Sequence, residues 1–125
     1  MERNKLHAQV TRYVSTVWEQ LCDLRPALGR YNPPAIYFSG RLWRTAGRCW
    51  QGDRVVELGV KFFEHSPKYA TIMRGIIIPH ELIHQADFDL YGLSEKSCGH
   101  GAQWAKLMVE YGLPPNPYHS MDIPR

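Results

Sequence analysis

One five-residue stretch, His80-Glu81-Leu82-Ile83-His84, constrains the fold of this 125-residue chain more than any other part of it. Its histidines are four residues apart, so on an α-helix they lie on one face about one turn apart. Two imidazoles placed in this way suit a zinc ion, which takes nitrogen ligands at roughly 2.0–2.1 Å. Glu81 lies on the same side and could accept a proton from an attacking water without coordinating the metal. The stretch therefore predicts a helix that borders a cleft and carries two zinc ligands and a general base.

The third ligand of this site has several candidates, because a catalytic zinc usually takes three protein ligands and keeps one position open. They are His65, Asp87, Asp89, Cys98, His100 and His119. His100 is favoured, since glycines on both sides let the backbone bend sharply and bring this residue close to the metal. Cys98 is a weaker alternative, because thiolate ligands suit structural sites better. Asp87, three residues past His84, is interpreted as an exposed acid of the helix.

The first half of the chain reads as a helix followed by a small sheet. Apolar residues recur at spacings of three and four over residues 6–22, so we expect an amphipathic helix that ends before Pro26. Three short segments with β-branched or aromatic residues follow, with glycines between them, at 35–38, 45–50 and 54–58. We interpret them as a small three-stranded antiparallel sheet.

The second half reads as helices, one of which carries the metal site. A helical pattern begins with Ser66 as N-cap and Pro67 at the first position, and it continues through residues 80–84. Pro79 interrupts this pattern, because proline lacks a backbone donor and clashes with the preceding turn. Either the helix kinks there or a second helix begins there. With a further C-terminal helix at 103–111, the order of elements predicts a single α+β domain over residues 1–125.

Composition and cysteine content indicate a globular intracellular protein. Hydrophobic residues make up 44% of the chain and charged residues 22%, with a formal net charge of +3. Cys22, Cys49 and Cys98 are too few and too scattered for a disulfide framework, and the N-terminus has no apolar signal region. The longest apolar run is far too short to span a membrane. We expect a monomer in the cytoplasm, nucleoid or nucleus that is neither secreted nor bound in a membrane.

A basic and aromatic stretch overlaps the second predicted strand. Its members are Arg41, Trp43, Arg44, Arg48 and Trp50. Guanidinium groups bind phosphates and indole rings stack on bases, a combination that suits single-stranded nucleic acid. The alternative is a pair of strands with Trp50 buried and the arginines solvated. Alternation along residues 45–50 puts Ala46, Arg48 and Trp50 on one face, which does not separate core from surface.

Taken together, these motifs resemble the SprT-like metallopeptidase domain of the SprT/Spartan family. After residues 80–84 come a loop of about fifteen residues and then Gly99-His100-Gly101-Ala102-Gln103-Trp104, which is similar to that family's second zinc motif. Upstream, Arg44-Thr45-Ala46-Gly47 and Val55-Val56-Glu57-Leu58 resemble the strands that precede its zinc helix. The resemblance is strongest over residues 36–119.

The resemblance implies a zinc-dependent endopeptidase with one zinc ion and a minimal zincin-like metalloprotease fold. The zinc ligands implied by position are His80, His84 and His100. Glu81 would be the catalytic base, and Trp104 would pack under the His100 loop. His119 would either contact the substrate or a developing oxyanion, or be an ordinary surface residue. Because the family includes proteases that remove proteins crosslinked to DNA, the implied substrates are DNA-associated or DNA-crosslinked proteins, with single-stranded DNA as the favoured nucleic acid partner.

Other classes of function fit the same residues. One is a nucleic-acid-binding module in which the zinc is structural or the peptidase activity is vestigial. Glu81 argues against a purely structural site, because three histidines beside an acid leave one coordination position open. A zinc hydrolase of a non-peptide bond also fits this ligand set.

Overall fold

Helices pack against a small sheet in this computed structural model, which describes residues 1–92 and 101–116. The first half contains helix α1 (Arg3–Leu24), a 3₁₀ turn (Pro26–Arg30) and strands β1 (Ala35–Ser39), β2 (Gly47–Trp50) and β3 (Val55–Gly59). The second half contains helices α2 (Val60–His65), α3 (Pro67–Ile72), α4 (Ile78–Tyr91) and α5 (Ala102–Tyr111), with a π-helical turn at Met73–Ile77 between α3 and α4. The predicted α+β class is confirmed.

Helix α1 forms because its apolar residues fall on one face. The buried members of that face are Leu6, Val10, Val14, Val17, Trp18 and Leu21. Their spacing is that of a helix with one side against the core, as the sequence predicts. The helix ends at Leu24, and the indole Nε1 of Trp18 donates a hydrogen bond to the carbonyl of Tyr31 at 3.1 Å. This bond fixes the segment that leads into the sheet against α1.

The sheet has the order β1-β3-β2 and is mixed. Strands β2 and β3 pair antiparallel through a tight turn in which Arg54 has a φ of 56°. Strand β1 pairs with β3 in parallel, with Ala35 opposite Val55, so the prediction of an antiparallel sheet is wrong for β1. Strand β3 is the most buried of the three and takes the centre. Because the chain reverses direction twice between β1 and β3, these two strands run the same way.

The helical region around Pro79 is continuous but not uniform. The N–H of Ile78 donates to the carbonyl of Met73, five residues earlier, which is the spacing of a π turn. Helix α4 then begins at Ile78 with Pro79 in its first turn, and Ile77 before it already has a helical conformation. Of the two predicted alternatives, the second is the nearer one, since a separate α-helix begins at Ile78, one residue before the proline, although the backbone stays helical through the π turn.

Helix α4 runs through the middle of the domain. It is buried from Ile78 to Asp87 and packs against α1, β2 and α5. Helix α2, for which the sequence pattern indicates no element, has Val60, Phe62 and Phe63 buried beneath the end of the sheet. In residues 1–92 and 101–116, no helix is long and apolar enough to cross a membrane.

Candidate metal centre

Two imidazole nitrogens converge on the buried face of α4. The Nε2 atoms of His80 and His84 lie 3.1 Å apart, and both side chains are buried. Two nitrogens bound to one tetrahedral zinc at about 2.05 Å would be separated by about 3.3 Å, so the observed separation is close to that of a ligand pair. One oxygen of Glu81 lies 3.6 Å from His80 Nε2. One ligand atom from each of the three residues falls within 4.8 Å of the others, so this group could hold a metal ion.

Trp104 packs against both imidazole rings. It lies in the first turn of α5 and is buried. Its ring stacks on His84 with the ring centroids 5.1 Å apart and the planes 18° from parallel. The same ring meets His80 in an edge arrangement, also at 5.1 Å. The two histidine side chains are therefore fixed in orientation by packing, which pre-organises their nitrogens for one ion.

Glu81 is buried beside the histidines in an environment that disfavours its charge. Burial raises the pKa of the Glu81 carboxyl to about 8. A cation bound between His80 and His84 would act in the opposite direction, because a nearby positive charge favours the carboxylate. A bound cation would therefore favour the charged form of Glu81.

Strand β2 passes directly over Glu81, and Gly47 makes this approach feasible. A Cβ atom built at Gly47 would lie 3.2 Å from Glu81 Cγ and 3.1 Å from Ile77 Cγ2. Sequence reasoning did not assign a role to Gly47. The available signal was a glycine inside a predicted strand, which often marks close approach of another part of the chain.

Of the other candidate ligands, His65, Asp87 and Asp89 are among the described residues. His65 contacts the ring of Tyr69 instead, and Asp89 accepts a hydrogen bond from Arg54 at 2.6 Å. Asp87 is buried, so its interpretation as an exposed acid is wrong. The reason is that α4 is covered on its polar side as well. Cys98, His100 and His119 lie outside the described residues, so the third ligand stays a prediction.

The family of this chain follows from comparison with known protein families. The sequence model of the SprT-like family matches residues 14–119, which is most of the chain. This chain belongs to the SprT-like family. No curated protein and no solved structure matches it. The matched span begins within α1, earlier than the 36–119 stretch in which the resemblance is strongest.

In this SprT-like chain, a polar network joins the turn after β2 to α4. The side-chain amide of Gln51 donates to the backbone carbonyl of His84 at 2.7 Å, and the amide of Gln85 donates to the carbonyl of Gln51 at 3.1 Å. Gln85 is fully buried, and its oxygen accepts a long hydrogen bond from the thiol of Cys49 at 3.7 Å. Burial raises the pKa of that thiol well above its usual range. Sequence reasoning missed both glutamines.

The basic and aromatic residues of the SprT-like chain lie mainly on the outer side of the sheet. In β2, Gly47 is buried towards α4, whereas Arg48 and Trp50 are exposed, so the strand does alternate. Trp50 is 46% exposed, so the alternative in which it is buried is wrong. Tyr37 of β1 is 58% exposed, and its register partner in β3 is Glu57. In the loop before β2, the Arg44 guanidinium lies over the ring of Trp43 at 4.5 Å.

A buried acid underlies this outer face. Glu57 is only 2% exposed and accepts hydrogen bonds from Trp50 Nε1 at 3.2 Å and Arg41 Nε at 3.4 Å. Burial by itself would raise the pKa of Glu57, but hydrogen bonds from Trp50 and Ser39 and the charge of Arg41 together lower it. Arg41 is thus already engaged by an acid, while Arg48 and Trp50 keep exposed surface.

Proposed function

We propose that this SprT-like chain is a zinc-dependent endopeptidase. The observation that carries the proposal is the convergence of His80 Nε2 and His84 Nε2 beside the buried carboxyl of Glu81. His100, from the family's second motif, supplies the third ligand in this proposal. A zinc ion held by these residues would polarise the carbonyl of the scissile peptide bond.

Glu81 is the residue that moves protons in this mechanism. It accepts a proton from the attacking water and passes it to the nitrogen of the leaving amine. Its burial supports this role, because a carboxylate in a water-poor site exerts a stronger electrostatic effect than one in bulk water. Trp104 orients the two histidine rings, and His119 contacts the substrate or its developing oxyanion.

An extended substrate fits best along the free edge of β2. Within the part of the chain that the structure describes, β2 pairs on one side with β3 and lies at the edge of the sheet. Peptides commonly bind such edges by adding a strand, with main-chain hydrogen bonds that do not depend on sequence. Since β2 passes over Glu81, a peptide on this edge would run close to the metal centre.

We further propose that the outer face of the sheet contacts single-stranded DNA, which would bring DNA-associated or DNA-crosslinked proteins to the site. Support comes from Arg48 and Trp50, which are exposed on the same face of β2, with the exposed Tyr37 on β1. Arginines paired with stacking platforms bind single strands with little sequence preference. Trp43 and Arg44 extend this surface into the loop before β2.

The peptidase proposal is tested with a DNA-binding protein as substrate. Cleavage is measured with and without single-stranded DNA, for wild type and Glu81→Gln at matched zinc content. We expect cleavage by the wild type that is stronger with DNA and lost in Glu81→Gln, because the variant keeps its metal but has no base. If neither protein cleaves while both hold one zinc, the peptidase proposal fails and the nucleic-acid-binding module takes its place.

The DNA surface has its own test. Arg48→Ala and Trp50→Ala should each weaken binding of a single-stranded oligonucleotide, and Arg48→Ala should also make binding less dependent on salt, because one phosphate contact is lost. Arg12→Ala, on the exposed side of α1, is the matched control. Equal weakening by Arg48→Ala and Arg12→Ala would mean that binding follows net charge and not this face.

A further inference from the structure

The turn that follows β2 is tied to the metal helix in both directions. Gln51 donates its side-chain amide to the carbonyl of His84, one of the two converging histidines, at 2.7 Å. The next residue along the helix, Gln85, donates its amide to the carbonyl of Gln51 at 3.1 Å. Each glutamine side chain therefore reaches the other's segment of backbone, over 33 and 34 positions of sequence.

Gln85 is a costly residue to place here, which makes its contacts informative. It is fully buried, and a buried amide without partners would be strongly destabilising. Its nitrogen also donates to Asp89 at 3.1 Å, and its oxygen accepts from the Cys49 thiol. Both of its N–H groups and its oxygen are thus used. The pair consequently has a defined geometry, and β2 is held at one distance and one register from α4.

Strand β2 has limited strand pairing to hold it in place. It is four residues long, and among the described elements its only strand partner is β3. Short edge strands open easily, because they have one row of hydrogen bonds and little buried side-chain area. Gly47, the first residue of β2, lies close to Glu81 but has no side chain that could anchor the strand to α4. Beyond the other end of β2, the hydrogen bond from Gln51 to the carbonyl of His84 holds the chain against α4.

We propose that Gln51 is a positioning residue, which fixes the free edge of β2 relative to the metal centre so that a peptide bound along that edge is in register with it. This inference rests on the proposed function, in which the substrate lies along β2. A donor is required at this position, because the partner is a carbonyl oxygen. Glutamate has the same length but cannot donate, and asparagine is too short to reach the helix.

The test uses the zinc-loaded full chain and two hydroxamates, measured by calorimetry. Acetohydroxamate contacts the metal alone, whereas a peptide hydroxamate also lies along β2. In Gln51→Glu and Gln51→Asn we expect peptide hydroxamate binding to weaken about tenfold, the effect of losing roughly one hydrogen bond. Binding of acetohydroxamate should stay within about twofold of wild type. Gln20→Glu is the matched control, because Gln20 uses its oxygen to accept from the Tyr111 hydroxyl and glutamate keeps that acceptor.

Amide hydrogen exchange of residues 47–50 provides a second readout that needs no ligand. It should accelerate in both Gln51 variants and stay unchanged in Gln20→Glu. Equal weakening of both hydroxamates would overturn the proposal, since Gln51 would then act on the metal centre itself. Unchanged binding or unchanged exchange would also overturn it. If wild type binds both hydroxamates equally well, the substrate does not lie along β2 and the positioning role of Gln51 fails with that placement. The peptidase proposal is unaffected by this outcome, because the Glu81→Gln comparison tests it separately.

Discussion

At the scale of single residues, the site depends on how closely β2 approaches Glu81. The approach is limited by Gly47, where an added Cβ would meet Glu81, Ile77 and Leu58 at 3.1–3.3 Å. Such contacts are too short for side chains held rigidly in a core, so a neighbour must move by a few tenths of an ångström. Glu81 is the neighbour whose movement matters for chemistry.

Gly47→Ala should therefore lower peptidase turnover while leaving zinc content unchanged. We expect a loss of about tenfold in kcat, because small displacements of a catalytic group are costly, and a loss of about 1–3 kcal/mol of stability from overpacking. Steady-state kinetics and metal analysis check this. Gly52→Ala in the following turn, with no atom within 4 Å of its Cβ, should behave as wild type. Normal turnover in Gly47→Ala would show that Glu81 tolerates the added methyl group.

Glu57 is the second residue with a measurable consequence, because its pKa is lowered in the folded protein. A carboxyl with a lowered pKa stabilises the fold above its ordinary value of 4.5, and this stabilisation is lost as the pH falls through the folded value. Glu57→Gln should cost about 1–2 kcal/mol of unfolding free energy at pH 7. Its difference from wild type should shrink as the pH falls below the ordinary pKa of 4.5 and through the lower folded value.

Urea unfolding of both proteins at pH 7 and pH 3.5 measures this difference. Glu19→Gln, on the exposed side of α1, serves as the control. A difference that is the same at both pH values would mean that the hydrogen bonds of Glu57, and not its charge, stabilise the sheet.

At the scale of elements, the β2–β3 turn and α4 behave as one unit. Arg54 donates to Asp89 at 2.6 Å and to the carbonyl of Asn32, and its guanidinium lies over the rings of Trp18 and Tyr31. One arginine thus connects α1, the segment before β1, the turn and α4. The Asp89 side chain is only 2% exposed, and Arg54 is its ion-pair partner.

Arg54→Met should destabilise the protein by about 2–3 kcal/mol, because it leaves a buried carboxylate without its counter-charge. Solvent partly screens this ion pair, because the Arg54 side chain is 30% exposed. The expected loss of unfolding free energy is therefore smaller than for a fully buried ion pair. Arg3→Met breaks the exposed pair with Glu64 and should change little. Chemical unfolding measures both. Equal losses of unfolding free energy in the two variants would contradict the view that burial of Asp89 makes its ion pair with Arg54 important for stability.

At the scale of the whole molecule, the candidate metal centre lies where α4, α5 and β2 meet. Its side chains are buried in the interior and held by Trp104. A metal that binds this assembled group binds the folded state and not the unfolded chain, so it must stabilise the fold as a whole.

Zinc at about a hundredfold above its dissociation constant should raise the melting temperature by roughly 8–15 °C. A chelator should reverse the shift, because it removes the ion from the folded state. His84→Ala should abolish it, whereas His65→Ala should retain it, since His65 contacts Tyr69 away from the centre. Differential scanning calorimetry with and without zinc checks each protein. A shift that survives His84→Ala would place the zinc elsewhere.

The sequence alone was enough to predict α1, the helix of residues 80–84 and the common face of His80 and His84. These features depend on side chains within one or two helical turns, so their spacing in the sequence carries the information. A helix start close to Pro79 was among the predicted alternatives for the same reason, and α4 begins one residue earlier, at Ile78. Exposure of Arg48 and Trp50 was less clear, because alternation in a four-residue strand is a weak signal.

Only the tertiary structure decided the parallel pairing of β1 with β3, the burial of Asp87, the approach of Gly47 to Glu81 and the tie between Gln51 and His84. Each of these depends on which distant segments pack together, and residues 51 and 84 are 33 positions apart. Local sequence patterns carry no information about such long-range contacts. These contacts are selected by burial of the whole core and by the need to give buried polar groups hydrogen-bond partners. The helix that carries the candidate metal ligands could therefore be predicted from the sequence, but the strand that lies against it could not.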